Sequence, residues 1–323
     1  MSKIIILIIS LIFQFNIIFT ENFISTSNGE NINKYSSSYY KSKNINPIKI
    51  SESHIPIGKI ILFLIISLGL FIIYTAIRNT MIMNKFIKEN FSLINNNLKL
   101  EEIDIGDLKK IRIKKILVFN SEVYYIEGLG FLSLMTVNIG IMQMITFGII
   151  PFEKDLPYII GEFIYLLGKR KFLIEIYDFL LDKKNNKNIN FINKIKEINE
   201  KMSDLEPLKT KKNWYDPIVF TTIKKGGSVK DDNKFINAFK EILEAYIEFA
   251  KEESLLNEED KEKKYLKIKG VAEEFIEKGG IAVDTFKNSV GIEKTSEVLG
   301  KIIFCHLLFK ELKINKKKKA KNE

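Results

Sequence analysis

The sequence is poor in the residues that form covalent cross-links and bind transition metals. The 323-residue chain has one cysteine, Cys305, and two histidines, His54 and His306. A single cysteine excludes an intramolecular disulfide and any cysteine-based zinc or iron–sulfur site. Two histidines leave no credible histidine-based metal cluster. The sequence therefore predicts no metal site.

Acidic residues are outnumbered by basic ones, 40 against 50, which gives a net charge of +10. Part of this excess lies in the last residues, 313–323, "KINKKKKAKNE", which we predict to be a basic disordered tail. The remaining excess would suit an acidic protein partner or an anionic membrane surface. Nucleic acid is the weaker interpretation, because no groove-reading or RNA-binding motif accompanies the charge.

The N-terminal part has the composition of targeting segments. Residues 1–20, "MSKIIILIISLIFQFNIIFT", resemble a secretory signal with a basic start and an apolar stretch. Residues 21–56 contain an acid-free stretch from Asn31 to Ile50, which is typical of a transit peptide. Together they predict delivery through the secretory pathway to a plastid bounded by extra membranes, including the non-photosynthetic type. The alternative is a low-complexity, disordered linker behind a membrane anchor.

Two long apolar runs predict different secondary structures. "IGKIILFLIISLGLFIIYTAI" is long enough to cross a bilayer, so we predict a transmembrane helix over residues 57–78. The second run, Gly130 to Ile150, contains Ser, Thr, Asn and Gln, with polar or small residues at every second position. That period predicts two buried strands joined by a short turn rather than a second span.

The rest of the sequence predicts an α+β domain over residues 79–312. Alternation in "KKIRIKKILVFNSEVYYIEGLGF" and "RKFLIEIYDFLL" predicts further strands of a mostly antiparallel sheet. A loop is expected between Asp182 and Asn190. The later sequence has helical spacing and predicts helices that cover one sheet face, in "KFINAFKEILEAYIEFAKEE", "KYLKIKGVAEEFIEKGG" (closed by Gly279–Gly280) and "KTSEVLGKIIFCHLLFKEL".

Three segments in succession resemble the ferredoxin-dependent bilin reductases. "MITFGIIPFEKDLPYIIGEFIYLLGKRKFLIEIYDF" resembles that family's strand, its acidic-Leu-Pro turn and a hairpin ending in an Asp and an apolar residue, here Asp178 and Phe179. "WYDPIVFTTI" resembles its aromatic-Ser-Pro strand. The closing helices, with a break at Gly291 and an apolar pair ending at Phe304, resemble its C-terminal part. The chain thus looks like a divergent member over roughly residues 78–312.

The resemblance implies an α/β/α sandwich, with a central mostly antiparallel sheet flanked by helices and a bilin between the sheet and the C-terminal helices. It implies reduction of a linear tetrapyrrole of the biliverdin type by single electrons from reduced ferredoxin. Side chains would supply the protons, with no bound metal or flavin. The basic net charge is compatible with docking an acidic ferredoxin. Ferredoxin, the bilin and a membrane are therefore the expected partners, without nucleic acid.

Two carboxylates are the expected proton donors. Glu162 stands where the family carries its principal proton-donating Asp, and an apolar pocket raises the pKa of a carboxyl toward neutrality. The alternative for Glu162 is a solvent-facing Glu at a strand start. Glu248, in "AYIEFA", is matched to the second family carboxylate, with an exposed helical Glu as its alternative.

The expected binding residues depart from the family pattern. Thr146 stands where members often carry a His or Asn, and Thr can hydrogen-bond a pyrrole nitrogen but cannot donate a proton near neutral pH. Leu134 falls where some members use a Glu. Lys169, Arg170 and Lys171, at a predicted hairpin tip, are candidates for pairing with the bilin propionates, or are simply solvated.

These departures leave three functions open. The first is an active bilin reductase with Glu162 as proton donor. The second keeps the fold without the reduction, as a tetrapyrrole-binding protein. The third is a membrane-anchored interaction protein whose helices and basic tail bind partners. We interpret His306 as a histidine at the edge of the core and Trp214 as a strand anchor, so neither enters the predicted site.

Overall fold

The computed structural model describes residues 57–113, 117–181, 186–209 and 212–322. The predicted signal and transit segments, 1–20 and 21–56, lie outside the described residues. Phe63–Glu323 form one compact unit. The helices are α1 (Ile57–Asn97), α2 (Asn186–Glu200), α3 (Asp232–Glu252), α4 (Glu258–Lys278), α5 (Ile281–Val290), α6 (Ile292–Val298) and α7 (His306–Asn322). The strands are β1 (Leu100–Ile103), β2 (Lys110–Ile113), β3 (Leu117–Ile126), β4 (Gly130–Asn138), β5 (Met142–Pro151), β6 (Tyr158–Leu166), β7 (Lys169–Tyr177), β8 (Glu206–Pro207) and β9 (Val219–Ser228).

The strands form a nine-stranded sheet in the order β1-β3-β4-β5-β6-β7-β9-β8, with β2 paired to the first part of β3. Every strand pair within the described residues is antiparallel. The apolar run Gly130–Ile150 forms the two strands β4 and β5, as its polar residues at every second position predict. The predicted sandwich of a mostly antiparallel sheet flanked by helices is confirmed.

One face of the sheet carries the main hydrophobic core. The ring of Phe239, on α3, lies 5.0 Å from the ring of Phe163 on β6 and 5.2 Å from that of Phe147 on β5. Phe86 of α1 lies 4.0 Å from Phe163, and α2 adds Phe191 to the same cluster. We call this side, covered by α1, α2 and α3, the α3 face.

The opposite face is covered by the C-terminal helices. The hydroxyl of Tyr158 on β6 donates a hydrogen bond of 3.0 Å to the carbonyl of Ile303. The rings of Phe152 and Phe309 stack with centroids 4.5 Å apart. Side chains alternate between the faces of a strand, so Tyr158 and Glu162 share a face and Phe163 points the other way. We call this second side the Glu162 face.

Helix α1 does not end near Arg78 as predicted. It continues to Asn97, and its second half packs on the sheet. Burial recurs at a helical spacing from Thr75 onward, at Thr75, Asn79, Met83, Phe86, Asn90 and Ile94. There is neither Pro nor Gly between Gly69 and Asn97, so nothing in the sequence stops the helix at the edge of the apolar run.

The predicted last helix, residues 294–312, is broken instead of continuous. A π-helical turn spans Leu299–Ile303, and Cys305 has a φ of +51° before α7 begins at His306. The loop predicted between Asp182 and Asn190 is wrong from Asn186 onward, where α2 begins. The tail predicted to be disordered from residue 313 lies largely within α7. The stop at Gly279 is present, with a φ of +76° that glycine adopts readily.

Candidate active site

Strand pairing places Glu162 in the middle of a row of side chains that crosses the sheet. In antiparallel strands, residues directly opposite one another point to the same face. With about 4.8 Å between strands, the row spans about 24 Å. Its members, from β3 to β9, are Ser121, Met135, Thr146, Glu162, Leu173 and Lys224.

A second carboxylate, Glu175, lies in the next row of the same face. It follows Leu173 by two residues on β7, and Leu173 is directly opposite Glu162. One oxygen of Glu175 lies 3.0 Å from the Lys224 Nζ, and the other accepts a hydrogen bond of 2.8 Å from the Tyr177 hydroxyl. Glu175 is thus held beside Glu162 by Lys224 and by the Tyr177 hydroxyl.

Glu162 has a different environment from Glu175. The Glu162 carboxyl makes no hydrogen bond to any described residue, although its side chain is half-buried. Burial is the main cause that raises its pKa to about 7, the charge of Glu175 adds to the effect, and the charge of Lys224 opposes it. A carboxyl with this pKa can both hold and release a proton near neutral pH.

Two buried hydroxyls in the same row lack partners. Thr146 and Ser121 are 5% and 2% exposed. Neither hydroxyl oxygen forms a hydrogen bond within the described residues. Buried polar groups are nearly always hydrogen-bonded in folded proteins. The row therefore contains two hydroxyls whose capacity for hydrogen bonding is unused within the described residues.

Aromatic rings flank this row on one side. Tyr158 and Tyr177 stack with ring centroids 5.5 Å apart, and Tyr215 lies 6.2 Å from Tyr177. Burial raises the pKa of all three phenols above the ordinary value, with the carboxylates of this face adding to the effect. All three are therefore neutral at physiological pH and serve as apolar walls with a hydroxyl.

The predicted basic residues separate onto different sides. Lys171 is half-buried on the Glu162 face, where burial lowers its pKa, and Lys169 is exposed at the hairpin tip. Arg170 points to the α3 face, where its Nη2 donates a hydrogen bond of 3.1 Å to Asp232. Because it is held on the opposite face of the sheet, Arg170 cannot reach a molecule on the Glu162 face.

The structure does not bring Glu248 together with Glu162. Glu248 is exposed on α3, which covers the opposite face of the sheet. The second carboxylate beside Glu162 is Glu175, which the sequence analysis missed together with Lys224 and Ser121. Strand period places Glu175 on the same face as Leu173, but only the pairing of β6 with β7 places Leu173 opposite Glu162.

The acidic residues of the sequence signature anchor the turn before β6. Asp155, in the Asp-Leu-Pro turn, accepts hydrogen bonds from the Lys264 Nζ (3.1 Å) and from the backbone N–H of Leu181 (2.8 Å). Lys264 is fully buried and also donates to the carbonyl of Leu156 at 2.7 Å. Asp178, at the end of the hairpin, lies 3.7 Å from Lys267. These residues attach α4 to the sheet and so shape the Glu162 face.

His306 and Trp214 lie away from the Glu162 row. His306 is buried at the start of α7, and burial lowers its pKa to about 4. The Trp214 indole N–H donates a hydrogen bond of 2.9 Å to the carbonyl of Gly279, and Trp214 precedes β9 rather than lying within it. In the described part of the chain, no group of three or more His, Cys, Asp or Glu could hold a metal ion.

Comparisons with known proteins give structural relatives and no sequence relative. No protein-family model and no curated protein matches the sequence. The fold is similar to the crystal structure of selenomethionine phytochromobilin synthase from tomato in complex with biliverdin, with a TM-score of 0.57 and 15% sequence identity. The similarity covers 69% of this chain and 83% of that chain. The chain therefore shares the fold of that synthase as a distant structural relative.

Proposed function

We propose that the chain binds a linear tetrapyrrole of the biliverdin type on the Glu162 face and reduces it with electrons from reduced ferredoxin. The observation that carries the proposal is the half-buried Glu162 carboxyl, whose pKa is raised to about 7 in a fold shared with a biliverdin complex. A solvent-facing Glu at a strand start would have no cause for such a pKa.

The proposed chemistry needs a proton for each electron. A one-electron donor converts a bilin into a radical anion, and a proton transferred to that radical neutralises it. Two electrons and two protons complete the reduction of one double bond. Glu162 can supply a proton and recover it from water, because its side chain retains some exposure. Ferredoxin supplies the electrons, so the reaction needs no bound cofactor.

Neighbouring groups can bind the polar parts of the substrate. The free hydroxyls of Thr146 and Ser121 suit pyrrole nitrogens or lactam oxygens, since a hydroxyl both donates and accepts. Lys171, on the same face, suits the propionates. Arg170 has no such role in this proposal, because Asp232 holds it on the α3 face.

The proposed electron donor and cellular location are inferred mainly from the sequence. The net charge of +10 favours an acidic ferredoxin as electron donor. The predicted signal and transit segments favour a plastid reached through the secretory pathway. In the described part of the chain, α1 alone is long and apolar enough to cross a membrane, which supports anchoring through residues 57–78.

The test is a titration of the full chain in detergent with biliverdin, followed by reduced ferredoxin without oxygen. We expect a saturable change in the pigment's absorption, then a second change when electrons are supplied. Pigment binding without reduction would favour the alternative, a tetrapyrrole-binding protein that has lost the activity. If no pigment binds, the chain has this fold without the function, and a membrane-anchored interaction protein becomes the better hypothesis.

The hydroxyl of Thr146 offers a matched test of binding. Thr146→Val keeps the shape and removes the hydroxyl, so we expect the biliverdin Kd to rise about 5- to 10-fold for one lost hydrogen bond. The pigment-free protein should not lose stability, because a buried hydroxyl without a partner is removed. Thr136→Val, on the α3 face of β4, is the control and should leave the Kd unchanged. An unchanged Kd for Thr146→Val would contradict the role of this hydroxyl.

A further inference from the structure

Helix α1 consists of two halves with different surroundings. From Leu62 to Tyr74, ten large apolar side chains are 42–70% exposed, and they occur on all sides of the helix. From Thr75 onward, burial follows one face only. A second protein would cover one side of the first half, whereas the acyl chains of a bilayer surround a helix completely. The 21 residues from Ile57 to Ile77 measure about 31 Å, close to the thickness of a bilayer's hydrocarbon core.

We call Ile57 to Ile77 the apolar half of α1, and the folded domain begins where this half ends. Side chains at three successive positions of the helix form hydrogen bonds at three connections of the sheet. The groups bonded there belong to the last residue of β4, before the β4–β5 turn, to the β6–β7 turn and to the link from β9 to α3. These bonds join Asn138 Nδ2 to Thr80 Oγ1 (3.2 Å), Asn79 Nδ2 to the carbonyl of Leu167 (3.2 Å), and Arg78 Nη2 to the carbonyl of Val229 (3.3 Å).

The residues at these connections combine apolar and basic side chains. We call them the α1 edge; its half-buried apolar members are Ile139, Ile141, Leu166 and Leu167, and its basic members are Arg78, Lys169 and Lys230. The two nearby acids are engaged within the fold. Asp231 accepts hydrogen bonds from Ser228, and Asp232 pairs with Arg170. Apolar tips beside basic residues are typical of surfaces that contact the interface of an anionic bilayer.

We propose that the α1 edge lies against the interface of a bilayer that the apolar half of α1 crosses, with anionic head groups as its partner. This inference rests on the proposed membrane anchor and is independent of pigment binding. Because α1 enters the domain as one helix without a linker, the edge stays close to the bilayer. Glu162 would then lie four residues, about 13 Å, from the bilayer-facing end of β6 at Leu166.

The test uses single introduced cysteines in the full chain, reconstituted in vesicles of phosphatidylcholine and phosphatidylglycerol. Native Cys305 has no exposed surface, so it should not take up label in the folded protein. The positions are Ile139→Cys and Lys169→Cys at the α1 edge, and Leu68→Cys in the apolar half. Asn96→Cys is the matched control, because it lies on the same helix about 27 Å beyond Arg78. Each cysteine carries an environment-sensitive fluorophore, and lipids with a nitroxide near the head group or deep in the acyl chain act as quenchers.

We expect the shallow nitroxide to quench the probes at 139 and 169 several-fold more than the probe at 96, and the deep nitroxide to quench the probe at 68. Equal, weak quenching at 139, 169 and 96, with strong quenching at 68, would overturn the edge contact while leaving the anchor. Absence of quenching at 68 would overturn both. Neither result would bear on biliverdin binding, which is measured in detergent.

Discussion

We expect Glu162→Gln to lower the rate of ferredoxin-dependent biliverdin reduction by at least 100-fold, the low end of the usual contribution of a general acid. Gln keeps the size and the hydrogen-bonding shape but has no transferable proton. The measurement is the loss of bound biliverdin absorption after reduced ferredoxin is added under anaerobic conditions. Biliverdin binding should persist in the variant, because the hydroxyls of the same row are unchanged.

The pH dependence follows from the direction of the pKa shift. Glu162, with a pKa of about 7 in place of 4.5, is protonated below pH 7 and loses its proton above it. The wild-type rate should therefore fall as pH rises through about 7, by about tenfold per pH unit well above it. The residual rate of Glu162→Gln should lack this fall. Glu248→Gln, an exposed carboxyl on the other face, should keep both the wild-type rate and its pH profile. A Glu162→Gln variant as fast as the wild type would assign the proton to another group.

The largest expected effect on stability is at the buried ion pair between Arg170 and Asp232. The side chains are 1% and 5% exposed, and the guanidinium also donates a hydrogen bond of 3.1 Å to the carbonyl of Leu167 and lies 4.9 Å from the Tyr165 ring. Arg170→Met leaves the Asp232 carboxylate buried without its cation. We expect the free energy of unfolding to fall by about 3–5 kcal/mol, measured by denaturant unfolding in detergent.

Two further variants separate this explanation from a loss of packing. Arg170→Met combined with Asp232→Leu removes both charges, so most of the lost stability should return. Lys194→Met breaks the exposed pair with Glu197 and should cost less than about 1 kcal/mol. If the double variant is as unstable as Arg170→Met alone, the contribution of Arg170 is packing and hydrogen bonding rather than charge pairing.

The sequence predicts the elements of this fold better than their ends. Alternation separates β4 and β5 from a membrane helix, because Thr136 and Asn138 interrupt the apolar run at the strand period. The sequence does not predict that α1 continues past Arg78. Near Arg78 the surroundings of the helix change, whereas the helix propensity of its residues does not. The break at Cys305 was also not predicted, because a non-glycine residue there has a positive φ and no Pro follows it.

The candidate site is predictable only in part, because it is assembled from strands distant in sequence. Glu162 and Thr146 were identified one at a time, and their position directly opposite one another follows from the β5–β6 register. Glu175 required a second register, between β6 and β7. Glu248 was matched to the second carboxylate of the family by its position in a helix. The sequence does not indicate which face of the sheet that helix covers.

The single helix from Ile57 to Asn97 has a mechanical consequence. A continuous helix transmits rotation, so the tilt of its apolar half is coupled to the tilt of the sheet packed on its second half. Transmembrane helices change tilt when the thickness of the bilayer changes. From Arg78 to Asn97 the helix is a lever about 28 Å long, so a change in tilt of about 20° would displace its far end by about 10 Å. A bilayer crossed by α1 would thus set the angle at which the Glu162 face meets a soluble electron donor.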